Sequence, residues 1–410
     1  MLTPTAAARL ILEHVAPLPA ARRPLREALD RVLAEDITSP IDLPAWDNSA
    51  MDGYAARAAD VERAGPERKV TLAVVETVPA GRFPTKPIGP GQVTRIFTGA
   101  PLPAGADTVV RQEDTEPAEP GRVTVVTGRD ARKNVRHRGE DIRKGEVVLP
   151  AGTPLGPAQL GVLASIAQAT PLVHDAPRVA FMGSGDEIVD LGGHPGPGQI
   201  PNSNTYSLMA QVEEAGGDPV SLGVAPDRLE EIEARLRWGL DCDLLISSAG
   251  VSVGEHDFVK AALELLGAEQ HLWLVDMRPG KPIAFATIPS SGKRALPVFA
   301  LPGNPVSAMV TFELFVRPAL LRLGGHSRLQ RPVVQARAEA PIPNRDRRRG
   351  YLRVTLSVGA DGGYRARLTG GQGSGILRSM VAADGLAVVP GNTTVEAGTV
   401  VPVILLRDVR

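Results

Sequence analysis

The first 36 residues contain two stretches in which apolar side chains recur with the spacing of a helix. The first face carries Leu10, Ile11 and Val15, and the second carries Leu25, Leu29, Val32 and Leu33. Pro17 and Pro19 lie between the two stretches, and proline interrupts a continuous helix. The pattern therefore predicts two helices within residues 4–36.

Between residues 44 and 142 the pattern changes to short β-type runs separated by Pro and Gly clusters. The runs are 69–78, 93–97, 108–112 and 123–127. No long helical pattern intervenes, so we predict a small all-β unit. A helical stretch follows at 158–167. We therefore expect a discontinuous N-terminal helical/mixed domain, 1–43 and 143–176, with a β-rich domain, 44–142, inserted in it.

From residue 178 onward, strand-like and helix-like segments alternate. The predicted strands are 179–182, 219–223, 244–247, 272–277, 283–287 and 298–301, and the predicted helices are 206–215, 228–240, 258–266 and 306–323. We expect Ser203 or Asn204 to cap the first helix and Asp227 to cap the second. This alternation predicts a mainly parallel, doubly wound sheet with helices on both faces, an α/β domain at 177–326.

After Gly325 the β pattern returns. The predicted strands are 333–338, 351–358, 364–368, 387–389 and 400–406. They favour a small C-terminal β barrel or sandwich at 327–410. The predicted fold class is therefore multidomain α/β plus β.

Bulk composition excludes some classes of partner. The net charge is −1, so we expect neither nucleic acid nor an anionic membrane as a partner. No uncharged apolar run reaches about eighteen residues, so a membrane span is not expected. The single cysteine, Cys242, cannot form an intrachain disulfide, which fits a reducing compartment and a cytoplasmic location.

Candidate chemistry lies in the loops that follow the strands, because doubly wound domains bind ligands at the carboxyl ends of their strands. In 183–187, two glycines allow close approach of the backbone to a ligand, and Asp186 and Glu187 follow them. In 224–227, Asp227 follows the strand 219–223 and is expected at the same edge of the predicted sheet. A flexible turn and helix capping are the alternative interpretations of these two loops.

The loop 248–257 is rich in small and hydroxyl residues and ends in Glu255 and Asp257, just before a predicted helix. Free N–H groups and the helix dipole favour phosphate there. The two carboxylates would repel a bare phosphate, and a bridging Mg²⁺ with oxygen ligands resolves the conflict. Capping of the following helix is the alternative role for Asp257.

Two further loops complete the predicted rim. In 278–282, Arg278 and Lys281 flank a Pro-Gly turn that restricts the backbone. In 302–307, Pro305 and Ser307 mark another helix N-terminus. Three helix N-termini, two cations and several carboxylates at one edge predict a phosphorylated ligand bound with a divalent metal, and catalysis by positioning and charge.

These loops and several further strings resemble the molybdopterin molybdenumtransferase family, which performs the last step of molybdenum cofactor assembly and is similar to the gephyrin E domain. The strings are 44–54 (PAWDNSAMDGY), 96–100 (IFTGA), 138–142 (RGEDI), 183–187 (GSGDE), 202–204 (NSN), 243–257, 279–282 (PGKP), 302–307 (PGNPVS) and 373–375 (GSG). The strings N-S-A-M-D-G-Y and G-V-S-V-G-E-x-D are the most specific, and the matches span nearly the whole chain.

The resemblance implies a four-domain, elongated homodimer with a composite active site and a central domain similar to molybdopterin adenylyltransferase. It implies that adenylylated molybdopterin and molybdate are the substrates, that Mg²⁺ is required, and that AMP leaves as molybdate enters the dithiolene. It also implies partners: the molybdopterin adenylyltransferase, and molybdoenzyme apoproteins or their chaperones.

The resemblance also assigns residues. The implied catalytic positions are Asp52, Thr98, Asp141, Asp257 and Lys281, and the implied metal ligands are Glu187, Asp227 and Asp257. The implied substrate-binding residues are Gly183, Ser184, Gly185, Asp186, Ser248, Gly250, Val251, Ser252, Gly254, Arg278, Gly280, Pro302, Gly303, Asn304, Pro305, Ser307, Arg353 and Ser374. Arg353 and Ser374 are expected to complete the site across the dimer.

The chain departs from the family pattern in three places. Ala249 stands where Gly is common, and Arg278 stands where lysine is expected, which changes a point charge into a planar donor. The run 345–349 is unusually basic, and a solvated loop is the alternative interpretation of it.

Two other functions compete with molybdenum insertion. An adenylyltransferase-type enzyme would act on a related pterin or nucleotide, but those enzymes lack the N-terminal and C-terminal domains expected here. A non-catalytic scaffold like the gephyrin E domain is the second alternative. The retained Glu187, Asp257 and Lys281, and the lack of a fused module or long linker, favour an enzyme.

Overall fold

A computed structural model describes residues 1–248, 258–289 and 294–408, and the chain folds as two compact units. One unit comprises Met1–Glu35, Gly152–Pro157 and Thr170–Arg410, and the other comprises Asp36–Ala151 and Ala158–Ala169. The finer four-domain division stays a prediction. No helix in the described ranges is both long and apolar enough to cross a bilayer.

The first predicted helix forms at Pro4–Glu13, where the side chain of Thr3 accepts a hydrogen bond from the N–H of Ala6. The second predicted helix is wrong. Its residues form a 3₁₀ turn, Leu25–Glu27, and a strand, Val32–Leu33. Asp30 adopts a φ of 61°, which a continuous helix does not tolerate, and Val32–Leu33 pairs with a distant strand. That three-stranded sheet contains Ala20–Arg22, Leu172–His174 and Val32–Leu33, in this order.

The second unit is built on a six-stranded sheet, as the all-β prediction requires. Its strand order is Thr108–Arg111, Gly53–Ala56, Gln92–Ile96, Val70–Val78, Arg122–Val125 and Thr115–Pro117. Two small ribbons pair Val135–Arg136 with Asn48–Ser49 and Val147–Leu149 with Ile37–Thr38. The helical segments are Ala58–Val61, Gln112–Asp114 and Pro157–Ser165.

A second six-stranded sheet forms the α/β domain. Its strand order is Asp218–Ala225, Arg178–Ser184, Leu244–Ser248, Leu296–Leu301, Pro282–Ile288 and Glu269–Leu274. The first four strands run parallel and the last two pairings are antiparallel, so the prediction of a mainly parallel sheet is correct.

Helices cover both faces of this sheet, as a doubly wound fold requires. One face packs against Pro4–Glu13, Asn204–Glu214 and the segment 305–323, and the other packs against Leu229–Trp238 and Phe258–Leu265. The predicted helix 306–323 is interrupted: a π-helical turn, Phe312–Val316, separates Pro305–Thr311 from Arg317–Leu323. Pro318 has no N–H to donate to the preceding turn, which favours this widening.

The C-terminal strands close into a barrel. Its strand order is Arg349–Val358, Tyr364–Leu368, Val333–Ala338, Val400–Leu405 and Gly385–Val389, and the last strand pairs back to the first. Minor elements are the pair Ile342–Asn344 and Thr393–Val395 and the helix Arg378–Ala382. The predicted strand 272–277 ends early, and a separate strand, Met277–Arg278, joins Arg349–Val358 in parallel. The α/β domain and the barrel therefore share backbone pairing.

Candidate functional site

A cleft of about 570 Å³ lies at the carboxyl edge of the parallel strands. Its lining comprises Gly183, Ser184, Glu187, Ile188, Ile200, Pro201, Asn202, Ser203, Asn204, Ser248, Gly303, Asn304, Pro305 and Gly375. Because three neighbouring strands run parallel, the loops that follow them meet at one edge. The structure thus brings together three predicted residues of the first loop, the first residue of 248–257 and residues 303–305. The three are Gly183, Ser184 and Glu187.

Asn204 organises the floor of this cleft. Its Nδ2 donates to the carbonyl oxygen of Gly303 at 2.7 Å and to the hydroxyl of Ser248 at 3.2 Å. Its Oδ1 is buried and has no hydrogen-bond partner among the described residues. Burying an acceptor without a partner is costly, so this oxygen is suited to a donor on a ligand.

The sequence predicts Asn204 as one of two possible caps of the helix Asn204–Glu214. Ser203 instead occupies the cap position of Asn204–Glu214, without a side-chain capping bond, and Asn202 accepts from the N–H of Thr205 at 3.2 Å. Asn202 and Asn204 were missed as cleft residues because they precede a helix and do not follow a strand of the main sheet. Their signal was the string N-S-N, which the resemblance contained.

Gly185 permits the acidic turn beside the cleft. Its φ is 140°, and a Cβ there would lie 2.6 Å from Oε2 of Glu187. A larger residue would therefore displace the Glu187 carboxylate. This explains in steric terms why the loop carries glycine immediately before its two acids.

Asp186, Glu187 and Asp227 form an acidic cluster at this edge. The N–H of Asp227 donates to Oδ1 of Asp186 at 3.1 Å. Burial, and then the negative charges of Asp186 and Glu187, raise the pKa of Asp227. The predicted capping role of Asp227 is wrong, because Arg228 occupies the cap position of Leu229–Trp238 and no side chain caps that helix.

The described residues contain no group of three potential ligands close enough to hold a metal ion. Asp257, the expected third acidic ligand, lies outside the described residues. So do the other predicted residues of the same loop, which are Gly250, Val251, Ser252, Gly254, Glu255 and the departure at Ala249.

The loop 278–282 lies at the same edge of the sheet, but none of its residues belongs to the lining of the cleft. Gly280 has a φ of 94°, and a Cβ there would overlap the Cγ2 methyl of Thr311. Glycine therefore lets this loop pack against the helix Pro305–Thr311. Lys281 is partly exposed, and Arg278 is 3.8 Å from Asp346 of the barrel.

The basic run 345–349 is organised around Asp346. Its carboxylate accepts bonds from the side chain of Arg348 at 2.6 and 2.8 Å. The hydrogen bonds from Arg348 lower the pKa of Asp346. The charge of Arg278 lowers this pKa further, and partial burial of Asp346 raises it in part. The run is therefore partly neutralised by its own acid, and it is not a uniformly cationic patch.

A glycine-rich loop of the barrel, residues 370–375, forms part of the cleft. The carbonyl oxygen of Ser374 accepts from the N–H of Val306 at 3.0 Å, and Gly375 lines the cleft. This wall therefore faces the α/β domain of the same chain. The role of Ser374 across a dimer stays a prediction.

Arg353 does not line the cleft. It is fully buried, and its guanidinium donates to the hydroxyl of Ser379 at 3.1 Å and to the carbonyl oxygen of Gly373 at 3.0 Å. Burial, and then the charge of Arg278, lower its pKa to about 10. Arg353 therefore contacts the glycine-rich loop through Gly373, away from the lining of the cleft.

The second unit contains three other predicted residues. Oδ1 of Asp52 accepts from both the N–H and the hydroxyl of Thr98, each at 2.8 Å, and these bonds lower the pKa of Asp52. The guanidinium of Arg95 lies over the rings of Tyr54 and Phe97, at 4.8 and 5.4 Å. Asp141 lies in an exposed turn, where its N–H donates to the carbonyl oxygen of Leu43.

The fold and the cleft define an α/β ligand-binding protein with an attached β barrel. Three family descriptions match the chain in succession: "MoeA N-terminal region (domain I and II)" over residues 2–167, "Probable molybdopterin binding domain" over 180–322, and "MoeA C-terminal region (domain IV)" over 335–406. All the α/β residues that line the cleft fall within the second match.

Full-length relatives agree with these matches. The chain is 40% identical to the molybdopterin molybdenumtransferase of Nostoc sp., over 92% of this chain and 86% of that one. It is 35% identical to the molybdopterin molybdenumtransferase of Haemophilus influenzae, over 87% of this chain and 86% of that one. The chain therefore belongs to the molybdopterin molybdenumtransferase family of transferase enzymes.

Solved structures support the same assignment. The crystal structure of the molybdopterin biosynthesis moeA protein from Pyrococcus horikoshii OT3 is similar with a TM-score of 0.82 and 28% identity. The similarity covers 99% of this chain and 100% of that one. The described residues of this chain therefore share their fold with that protein.

Proposed function

We propose that this enzyme inserts molybdate into the dithiolene of adenylylated molybdopterin, cleaves the phosphoanhydride and releases AMP. The observation that carries the proposal is the cleft, whose lining combines backbone, hydroxyl and amide groups at the carboxyl edge of the domain that matches the molybdopterin-binding family. Relatives of matching length carry the name molybdopterin molybdenumtransferase.

The floor of the cleft supplies groups for an anionic ligand. Asn204–Glu214 begins at the cleft, so its first-turn N–H groups and its dipole favour a phosphate there. The hydroxyls of Ser184 and Ser248 add further donors. Oδ1 of Asn204 accepts from a ligand N–H or O–H, and its fixed Nδ2 holds that oxygen in place.

We assign Mg²⁺ binding to Glu187 and Asp227, with Asp257 as a further ligand. Burial, and then the negative charges of Asp186 and Glu187, raise the pKa of Asp227, and a bound divalent cation would offset the repulsion among these three carboxylates. When bound, Mg²⁺ would neutralise charge on the phosphoanhydride. Gly185 leaves room for the Glu187 carboxylate, because a Cβ at this position would lie 2.6 Å from its Oε2.

The remaining roles follow the family resemblance. Lys281 is proposed to hold phosphate or molybdate as a point charge. Asp52, Thr98 and Asp141 are proposed to complete the site in a homodimer, and the two bonds from Thr98 orient the Asp52 carboxylate for that task. The proposal includes a cytoplasmic location, supply of substrate by a molybdopterin adenylyltransferase, and delivery of product to molybdoenzyme apoproteins or their chaperones.

The test is a turnover assay with purified full-length protein, adenylylated molybdopterin, Mg²⁺ and molybdate. We expect AMP and protein-bound molybdenum cofactor to appear together, and Lys281→Ala to abolish both while circular dichroism stays unchanged. Lys281→Arg is the matched variant that keeps the charge. Unchanged turnover by Lys281→Ala would refute the role of Lys281, and wild-type protein that forms no AMP would refute the function.

A further inference from the structure

Residues 188–201 form a flap beside the cleft. Two short strands, Ile188–Val189 and Ile200–Pro201, pair in parallel and enclose the connecting loop. The N–H of Ile200 donates to the carbonyl oxygen of Glu187, and the N–H of Asn202 donates to that of Val189, both at 2.8 Å. The base of the flap is therefore fixed at both ends.

Asp190 fastens this flap to the helix Asn204–Glu214. Its Oδ1 accepts from the hydroxyl of Tyr206 at 3.0 Å and from Nδ2 of Asn202 at 3.2 Å. The hydrogen bond from Tyr206 joins the flap to the first turn of the helix whose N-terminus forms the cleft floor. These contacts are specific to the flap and have no role in the sheet or barrel.

The flap gives the cleft an apolar wall. Ile188, Ile200 and Pro201 line it, and Ile200 is 54% exposed to solvent. A hydrated anion gains nothing from contact with these side chains, whereas a flat ring that covers them removes apolar surface from water. The cleft volume of about 570 Å³ lies within the usual range for small-molecule sites and has room for a ring beside a phosphate.

We infer that the flap is the ring-binding wall of the site: Ile188, Ile200 and Pro201 hold a flat heteroaromatic ring of the ligand, while the polar floor holds its phosphate. This inference rests on the proposed function, in which the ligand carries two such rings, a pterin and an adenine. The chemistry of the wall is the same for both, so separate probes must distinguish them.

The experiment compares Ile200→Ser with the matched control Leu191→Ser in the full-length protein. Both residues are aliphatic and of equal size, and both lie exposed on the flap, at 54% and 68%, but only Ile200 lines the cleft. Calorimetric titration measures the affinity for three probes: AMP, 6-carboxypterin and inorganic pyrophosphate.

We expect Ile200→Ser to weaken binding of AMP, of 6-carboxypterin or of both by about 5–20-fold, the loss that fits one aliphatic contact. Pyrophosphate binding should change less than about twofold, and Leu191→Ser should bind all probes like the wild type. Loss for AMP alone assigns the wall to adenine, and loss for 6-carboxypterin alone assigns it to the pterin.

Three results would overturn the inference: unchanged ring binding by Ile200→Ser, an equal loss for pyrophosphate, or an equal loss in Leu191→Ser. Tyr206→Phe supplies an independent test, because it removes only the hydroxyl that reaches Asp190. It should weaken the same ring probe by about threefold and leave pyrophosphate affinity unchanged.

The turnover assay separates failure of the inference from failure of the proposed function. Wild-type AMP release with an Ile200→Ser KM equal to wild type refutes the ring wall and leaves the function standing. A selective loss of ring binding in Ile200→Ser, with no AMP release by wild type, leaves the ring wall standing and refutes the function.

Discussion

The side-chain amide of Gln372 pairs with the backbone of Arg353 in the way that a neighbouring strand would. The N–H of Arg353 donates to Oε1 of Gln372 at 2.9 Å, and Nε2 of Gln372 donates to the carbonyl oxygen of Arg353 at 3.1 Å. The regular ladder ends one residue away, where Val354 pairs with Leu368. A side chain thus continues the pairing and fixes the glycine-rich loop that reaches the cleft.

Replacing Gln372 should therefore loosen the loop that carries Ser374. We expect Gln372→Ala to raise the KM for adenylylated molybdopterin about tenfold, with a smaller effect on kcat. The free energy of unfolding should fall by about 1–3 kcal/mol, because the backbone N–H of the buried Arg353 loses its acceptor. Steady-state kinetics and urea unfolding measure the two effects. Gln335→Ala, at an exposed site on the same barrel, is the control and should change neither.

The side chain of Asn204 offers a second test, because its Nδ2 fixes the cleft floor and its Oδ1 has no partner among the described residues. Asn204→Ala should weaken pyrophosphate binding about tenfold, because it removes the amide donor that fixes Gly303 and Ser248 at the cleft floor. Asn204→Asp keeps an acceptor but adds negative charge, so it should bind the anion at least as weakly. Calorimetry on both variants decides the matter, and wild-type affinity in either one would contradict the assignment.

We expect Asp227 to lower the stability of the fold near neutral pH and to be required for activity. Its pKa in the folded state lies above the ordinary value of an aspartate, so folding favours the protonated form. Wild-type stability contributed by this group is full at low pH and is lost as pH rises through the folded pKa. Asp227→Asn should therefore match wild type at low pH and be more stable near neutrality without metal, by less than about 1 kcal/mol because solvent screens the exposed Asp227.

Thermal and urea unfolding across pH, in EDTA, measure that gain, and the turnover assay should show lost Mg²⁺-dependent activity in the same variant. Asp218→Asn is the control, because Asp218 is an exposed acid at the opposite end of the same strand, Asp218–Ala225. A pH-independent difference between Asp227→Asn and wild type would rule out the electrostatic explanation.

The sequence was sufficient for most of the fold and for one edge of the site. Ser184, Ser248 and Gly303 follow apolar runs that are long enough to be recognised as strands, and parallel pairing then brings those three residues together. The C-terminal runs likewise predicted a barrel, although closure depends on a pairing between Arg349–Val358 and Gly385–Val389 that no local pattern encodes.

The errors have local physical causes. Helical spacing at Val32 and Leu33 was outweighed by the left-handed conformation of Asp30 and by pairing with a strand about 140 residues away. The strands of the flap are only two residues long, too short to show a period. Asn204 and Gln372 act through side-chain bonds to distant backbone groups, and composition does not reveal such bonds.

A buried ion pair between Arg331 and Glu313 joins the α/β domain to the barrel, and its removal should lower the free energy of unfolding. Nε of Arg331 lies 2.9 Å from Oε2 of Glu313, in the π-helical turn, and another nitrogen of Arg331 lies 2.9 Å from Glu214. The Glu313 side chain is 4% exposed and that of Glu214 is 60% exposed. Gln211 also donates to Glu313 at 2.8 Å, so removal of this carboxylate affects two partners.

Glu313→Ala should lower the free energy of unfolding by about 3–5 kcal/mol, because it leaves the charge of Arg331 buried without its main partner. Glu214→Gln should cost less than about 1 kcal/mol, since an exposed ion pair contributes little. Combining Glu313→Leu with Arg331→Met should recover most of the loss, because no unpaired charge then remains buried. Urea unfolding of the three variants measures these differences. Equal losses in Glu313→Ala and Glu214→Gln would show that burial of the pair does not determine its contribution.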